Sequence, residues 1–276
     1  MEDNNYEPYY MTSPESNDYI ENESNTIDVP LIKSLACIAI GWVGLSIVAT
    51  IVSTIALLFI DDPTNLTPVQ EANLVGWINF AAYAIIFISL FAVLGKKIII
   101  KFLKQFKSLE KLGRGLMYGG ILLGSSIAYN MIVLLIYPDF GANQNQNEVV
   151  NMITQMPVIS FFSVVLFAPI TEEITYRLCL TGTIAKKNKI LGIVISSTLF
   201  GLIHSAFLNG SFLEMTSQEI INEIVALPSY IISGVVMAIA YTREDSIATS
   251  ITAHMTNNFI AFVQAFIPVE ELFRLF

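Results

Sequence analysis

Seven apolar stretches set what this chain can become. They fall at about 34–60, 74–95, 115–137, 158–180, 190–208, 220–241 and 247–267. A helix crossing the hydrocarbon core of a bilayer needs roughly 20 apolar residues, and 190–208 is near the short limit. Lipid offers no hydrogen-bond partners, so a spanning chain must be helical or a closed barrel. Barrel strands alternate apolar and polar residues, whereas these runs are continuous with sparse polar punctuation. The expected fold is all-α: a polytopic transmembrane helix bundle of about seven spans, with no β-sheet. Composition agrees, because only 13% of the residues are charged, against about 25% in soluble domains.

Charge is laid out unevenly along the chain. Eight of the 23 acidic residues lie in the first 28 positions, which contain no Lys or Arg. Residues 1–30 lack an apolar run and cannot offset their ordering entropy by burial, so they read as a disordered acidic cytoplasmic tail. They also lack the basic start and apolar run of a signal peptide. Residues 31–276 read as one transmembrane helical domain. Seven of the 14 basic residues lie between Lys96 and Arg114. Lys33, Lys186, Lys187, Lys189 and Arg243 flank other spans on the same side, and the alternate loops 61–73, 138–157 and 209–219 have none. Under the positive-inside rule the N-terminus is cytoplasmic and the C-terminus outside, with only Arg274 disagreeing. The expected location is integral and multi-pass in a membrane, the plasma membrane of a prokaryote. The run 96–111 is either a basic amphipathic helix with Ile98, Ile99, Phe102 and Phe106 facing lipid, or a plain cytoplasmic loop.

Gly115-x-x-x-Gly119 and Gly120-x-x-x-Gly124 would let the third span approach its neighbours closely. Cys37 and Cys179 fall in separate spans, with no Cys-x-x-Cys motif and no sign of a disulfide framework.

Ionisable residues inside a span are costly and mark function by default. The fourth span holds Glu172, Glu173 and Arg177. Glu173 and Arg177 are four apart, so they share a helix face and can pair. Glu172 points about 100° away and has no local counter-charge, which suits it to take a proton from water and return it. The alternative is that all three cap a helix end. The chain has two histidines, His204 and His254, both in apolar helices, and Asn258 shares a face with His254. Helix bundles build sites from side chains on facing helices. Counting residues from the span ends favours a site that opens towards the cytoplasm.

Glu172-Glu173-x-x-x-Arg177, Phe200-x-x-x-His204 and His254-x-x-x-Asn258, in this order on separate apolar helices, resemble the type II CAAX prenyl protease and bacteriocin-processing family. That family comprises intramembrane endopeptidases, and the resemblance covers about 157–260. It implies hydrolysis of a peptide bond in or near the membrane. By analogy Glu172 and His204 activate water, while His254 and Asn258 stabilise the oxyanion. Glu173, Arg177 and Phe200 would support them.

No cofactor is expected. If zinc were used, Glu172, His204 and His254 would be its ligands, because a catalytic zinc takes three protein ligands and a water. The His-Glu-x-x-His pattern of soluble zinc proteases is absent. The implied partners are a membrane-embedded or membrane-associated peptide substrate and the lipid bilayer, with no nucleic acid. Two other functions stay open: a catalytically silent adaptor or bacteriocin-immunity protein, and a proton-coupled transporter, since buried Glu and His also build proton relays.

Overall fold

The structure is a computed structural model and describes residues 27–208 and 211–267. Most of the acidic tail, and Arg274, lie outside the described residues. Residues 27–30 are extended chain, and Ile27 and Val29 are buried against the core.

Each of the seven apolar stretches forms a helix, and no strand occurs among the described residues. Five helices are long and apolar enough to cross a membrane: α1 (Leu31–Leu57), α2 (Pro68–Leu94), α4 (Leu109–Ile136), α6 (Pro157–Ala185) and α8 (Ser217–Glu244). Between them lie the basic helix α3 (Lys96–Gln105) and the polar helix α5 (Gln144–Gln155). The last two apolar stretches give α7 (Lys189–Ile203) and α9 (Ile247–Gln264), of 15 and 18 residues. At about 1.5 Å per residue α7 is roughly 22 Å long, shorter than a hydrocarbon core. The protein is an integral membrane protein.

Helix starts follow local chemistry. Thr67, Ser108, Asn143, Asn188, Thr216 and Ser246 each stand at an N-cap and accept a backbone N–H from the first turn. These side chains satisfy donors that the helix itself cannot. At Thr67 and Thr216 the bond is returned by Gln70 and Glu219, which completes a capping box.

The basic segment is a helix, but its apolar face points inward. Ile98 and Phe102 are buried in the core, and Ile99 and Phe106 pack against it. Ile100 and Leu103 are the apolar side chains left exposed. The reason is a polar anchor at the end of the helix. The Gln105 carbonyl oxygen accepts from the N–H groups of Ile247 and Ala248 at 2.8 and 3.4 Å, and from the Ser246 hydroxyl at 3.2 Å. This bond set holds α3 against the start of α9, so its apolar face meets protein rather than lipid.

Helix α4 packs along α9. A Cβ added at Gly115 would stand 2.5 Å from Thr252 Cβ, and one at Gly119 would stand 2.8 Å from Thr256 Cβ. Added Cβ atoms at Gly120 and Gly124 meet nothing within 4 Å. Only the first of the two glycine pairs is therefore a packing seam. The two cysteines, far apart in sequence, face each other where α1 meets α6, and both are free.

Overpacking a tight contact costs about 1–3 kcal/mol. Gly119→Val is expected to lower the thermal unfolding midpoint of the detergent-solubilised protein clearly. Gly120→Val is expected to leave it near that of the parent, because its side chain enters open space.

Candidate active site

The catalytic candidates start from an irregular helix. Two π-helical stretches, Phe161–Phe167 and Ile174–Thr181, flank a short α-helical piece, Ala168–Glu173, within α6. π-Helical turns are rare and gather at functional sites. The consecutive glutamates sit at the end of the α-helical piece and point to different neighbours.

Glu173 is fully buried. Its carboxylate faces Arg177 Nε at 3.3 Å and the His254 Nδ1 at 3.0 Å, and it accepts the Ser250 hydroxyl. The Arg177 guanidinium is also fully buried and donates from Nη2 to the Gly234 carbonyl at 3.2 Å. It lies over the Phe200 ring, 4.4 Å from the centroid, and this contact partners a face of the cation that has few hydrogen bonds. The expected ion pair is thus present, and it also holds His254.

Glu172 faces a cavity of about 550 Å³. One carboxylate oxygen accepts the Tyr83 hydroxyl from α2 at 3.2 Å. The other oxygen lies 3.9 Å from Nε2 of both His204 and His254. Those distances are too long for direct hydrogen bonds but suit one water placed about 2.8 Å from each atom. Glu172, His204, His254, Asn258 and Phe200 all line this one cavity.

Both imidazoles have their outer nitrogens fixed. His204 Nδ1 lies 2.8 Å from the Phe200 carbonyl, which can only accept. His254 Nδ1 faces the Glu173 carboxylate, which also accepts. In each ring Nδ1 therefore carries hydrogen, and Nε2 is turned to Glu172. The His204 ring is held between Phe200, at 4.6 Å, and Tyr230, stacked at 4.9 Å and 17°. It stands just past the last residue of α7 rather than inside that helix, as its C-cap.

Asn258 donates from Nδ2 to the Val164 carbonyl at 3.0 Å and accepts from Asn257 at 3.3 Å. Val164 belongs to the first π-helical stretch. One N–H of the Asn258 carboxamide is therefore engaged in tying α9 to α6, and a second remains to serve the cavity.

The cavity runs the opposite way from the sequence expectation of a cytoplasmic opening. It is lined by the half of α2 around Val75–Tyr83, the half of α4 around Leu122–Asn130, and α9 from His254 to Gln264. Residues of α5 form a further wall. All of these lie towards the end of the bundle without lysines. His204 stands off the far end of α7, because that helix stops at Ile203.

The same geometry bears on the three zinc candidates, Glu172, His204 and His254. Zinc bonds of about 2.0–2.1 Å place tetrahedral ligands about 3.4 Å apart, and Glu172 stands 3.9 Å from each ring nitrogen. No three His, Cys, Asp or Glu side chains are grouped to hold a metal ion among the described residues. The three groups stand slightly wider apart than tetrahedral zinc ligands do.

Residues 154–260 match the family model described as type II CAAX prenyl endopeptidase, Rce1-like. The match spans under half of the chain and is a similarity to that family. The match coincides closely with the protease-like core expected at 157–260, and it contains all three motifs. No curated protein and no solved structure matches the chain. The match supports a membrane peptidase in general kind. Tyr83 lies outside the matched segment, and nothing in the sequence marked it. Ser250 could have been found, because it stands four residues before His254 on the same helix face.

Breaking a buried ion pair by removing one partner costs about 3–5 kcal/mol, because it strands a charge. Arg177→Met is expected to cut the yield and thermal stability of folded protein sharply. Adding Glu173→Gln to the same chain should restore part of the loss, read as the unfolding midpoint of the double variant against each single one.

Proposed function

We propose that this protein is an intramembrane endopeptidase that hydrolyses a peptide bond of a membrane-associated protein or peptide. The observation that carries this reading is the convergence of Glu172 with the inner nitrogens of His204 and His254 on one cavity. The chemistry follows from those groups. A water held between Glu172 and the imidazoles gives a proton to the Glu172 carboxylate as its oxygen attacks the scissile carbonyl carbon. His204, held by the Phe200 carbonyl, presents a lone pair at Nε2 and shares the activation of that water. The carbonyl oxygen gains negative charge as the tetrahedral intermediate forms. His254, when protonated, donates from Nε2 to this oxyanion, and its ring charge faces Glu173. The Asn258 carboxamide adds a second donor. Preorganised donors act more strongly in a site screened from water than in water. The carbon–nitrogen bond then breaks, and the proton held by Glu172 passes to the leaving nitrogen.

The same reading assigns the other parts. Glu173, Arg177 and Phe200 position the reacting groups rather than touch the substrate. The route uses no metal, in keeping with the open spacing of the three zinc candidates. The protein sits in a prokaryotic plasma membrane with its N-terminus in the cytoplasm.

The test is a comparison of membrane-derived peptides from cells carrying the parent protein and the Glu172→Gln variant. Cleavage products present with the parent should vanish with the variant at equal protein level. Identical peptide profiles, with an unchanged phenotype, would instead favour a silent adaptor. Purified protein treated exhaustively with a chelator should retain its cleavage activity; loss that zinc restores would overturn the metal-free route.

Tyr83 gives a separate expectation. A hydrogen bond to a charged group contributes about 1.5–3 kcal/mol, so Tyr83→Phe should lower kcat/KM by about ten- to a hundredfold if the bond serves mainly the transition state. The pH profile of kcat/KM should move as well, because the hydroxyl touches the carboxylate that accepts the proton. An unmoved profile would make Tyr83 a packing residue only.

A further inference from the structure

The cavity and the charge pattern together give the route to the site. Among the described residues, the bundle is basic at one end only. Lys96, Lys97, Lys101, Lys107, Lys111 and Arg114 lie there, with Lys186, Lys187 and Lys189 beside them. The chain has no Lys or Arg in 34–95, 115–176 or 190–242. The loops and helix starts at the other end carry Asp61, Asp62, Glu71, Asp139 and Glu148 instead. Most of the residues that wall the cavity lie in the halves of their helices towards that acidic end, and no Lys or Arg lines it.

We infer that the peptide to be cut reaches Glu172 from the membrane face opposite the basic residues, the outer face, and enters as an extended segment. The inference rests on the endopeptidase reading above and adds to it the side of approach and the class of substrate. The side follows from two independent facts. The positive-inside rule puts the lysine-rich end in the cytoplasm, and the cavity extends from the catalytic groups to the other end. The class follows from the wall chemistry. Asn79, Asn130, Asn143, Asn145, Gln146 and Asn257 line the cavity. A carboxamide offers both a donor and an acceptor, as a peptide unit does, so such a wall can pair with an extended backbone without selecting charge.

Tyr230 ties this wall to the chemistry. Its ring stacks on His204, and its hydroxyl donates to Asn143 at 3.3 Å while accepting from Asn145 at 3.2 Å. A substrate backbone paired with these amides therefore lies next to the imidazole that shares in activating water.

Cysteine labelling in whole cells tests the route. Gln146→Cys and Asn151→Cys place thiols on α5, and Lys107→Cys places one just after α3, at the basic end; all three native side chains are exposed. Cys37 and Cys179 are buried, so the parent protein supplies the background. A membrane-impermeant sulfonated maleimide is added to intact and to permeabilised cells. The inference requires labelling of Gln146→Cys and Asn151→Cys in intact cells, and of Lys107→Cys only after permeabilisation. The reverse pattern, or equal labelling of all three in intact cells, overturns it. If Gln146→Cys fails to accumulate, Asn151→Cys still reports the side. Saturating the Gln146→Cys thiol from outside should then abolish the cleavage products; undiminished products would overturn entry by this mouth. The two readings fail separately: products that persist in Glu172→Gln refute the endopeptidase, whereas inverted labelling with Glu172-dependent products refutes only the route.

Discussion

The fully buried Glu173–Arg177 pair holds the rest of the site together. Its carboxylate reaches α9 through His254 and Ser250, and its guanidinium reaches α8 through the Gly234 carbonyl and α7 through the Phe200 ring. Four helices thus share one neutral cluster. Two charges out of water are costly unless each is closely paired and hydrogen-bonded. That cost makes the arrangement exacting, because a shift of any of the four helices would strand a charge. Glu172, the residue before Glu173, is thereby held facing His204 and His254.

The division of labour between adjacent glutamates follows from helix geometry. Side chains one residue apart differ in direction by about 100°. Glu173 therefore turns inward to its counter-charges, while Glu172 turns to the cavity and receives only the Tyr83 hydroxyl. Glu173 is engaged in the buried ion pair, and Glu172 is left facing the cavity. The π-helical stretches on both sides adjust the direction of α6 at this point and free backbone carbonyls, one of which, Val164, is taken up by Asn258. A residue expected to serve the oxyanion is thus also a tie between helices. These two roles are compatible, since a carboxamide has two N–H groups.

The amphipathic segment after α2 shows how tertiary context redirects a sequence signal. Its periodicity correctly gives a helix with one apolar face. Periodicity carries no information on what that face meets. Gln105 decides it by capping α9, which draws Ile98 and Phe102 into protein. The two glycine pairs make the same point. They are identical as patterns, yet only Gly115 and Gly119 face another helix, because the direction of each glycine around α4 depends on where α9 lies.

The sequence by itself determined the all-α membrane architecture, since continuous apolar runs have no other way to satisfy their backbone in lipid. It also determined the Glu173–Arg177 pair, which is local along one helix, and pointed to Glu172, His204, His254 and Asn258 as rare polar residues where polarity is costly. Only the tertiary structure decided that these residues line one cavity, that Tyr83 touches Glu172 across 89 residues of chain, that Tyr230 stacks on His204, and that the cavity extends to the end without lysines. The physical reason is range. Helix formation, capping and four-residue pairing are fixed by neighbours in the chain, whereas the facing of one helix on another depends on packing summed over the whole bundle.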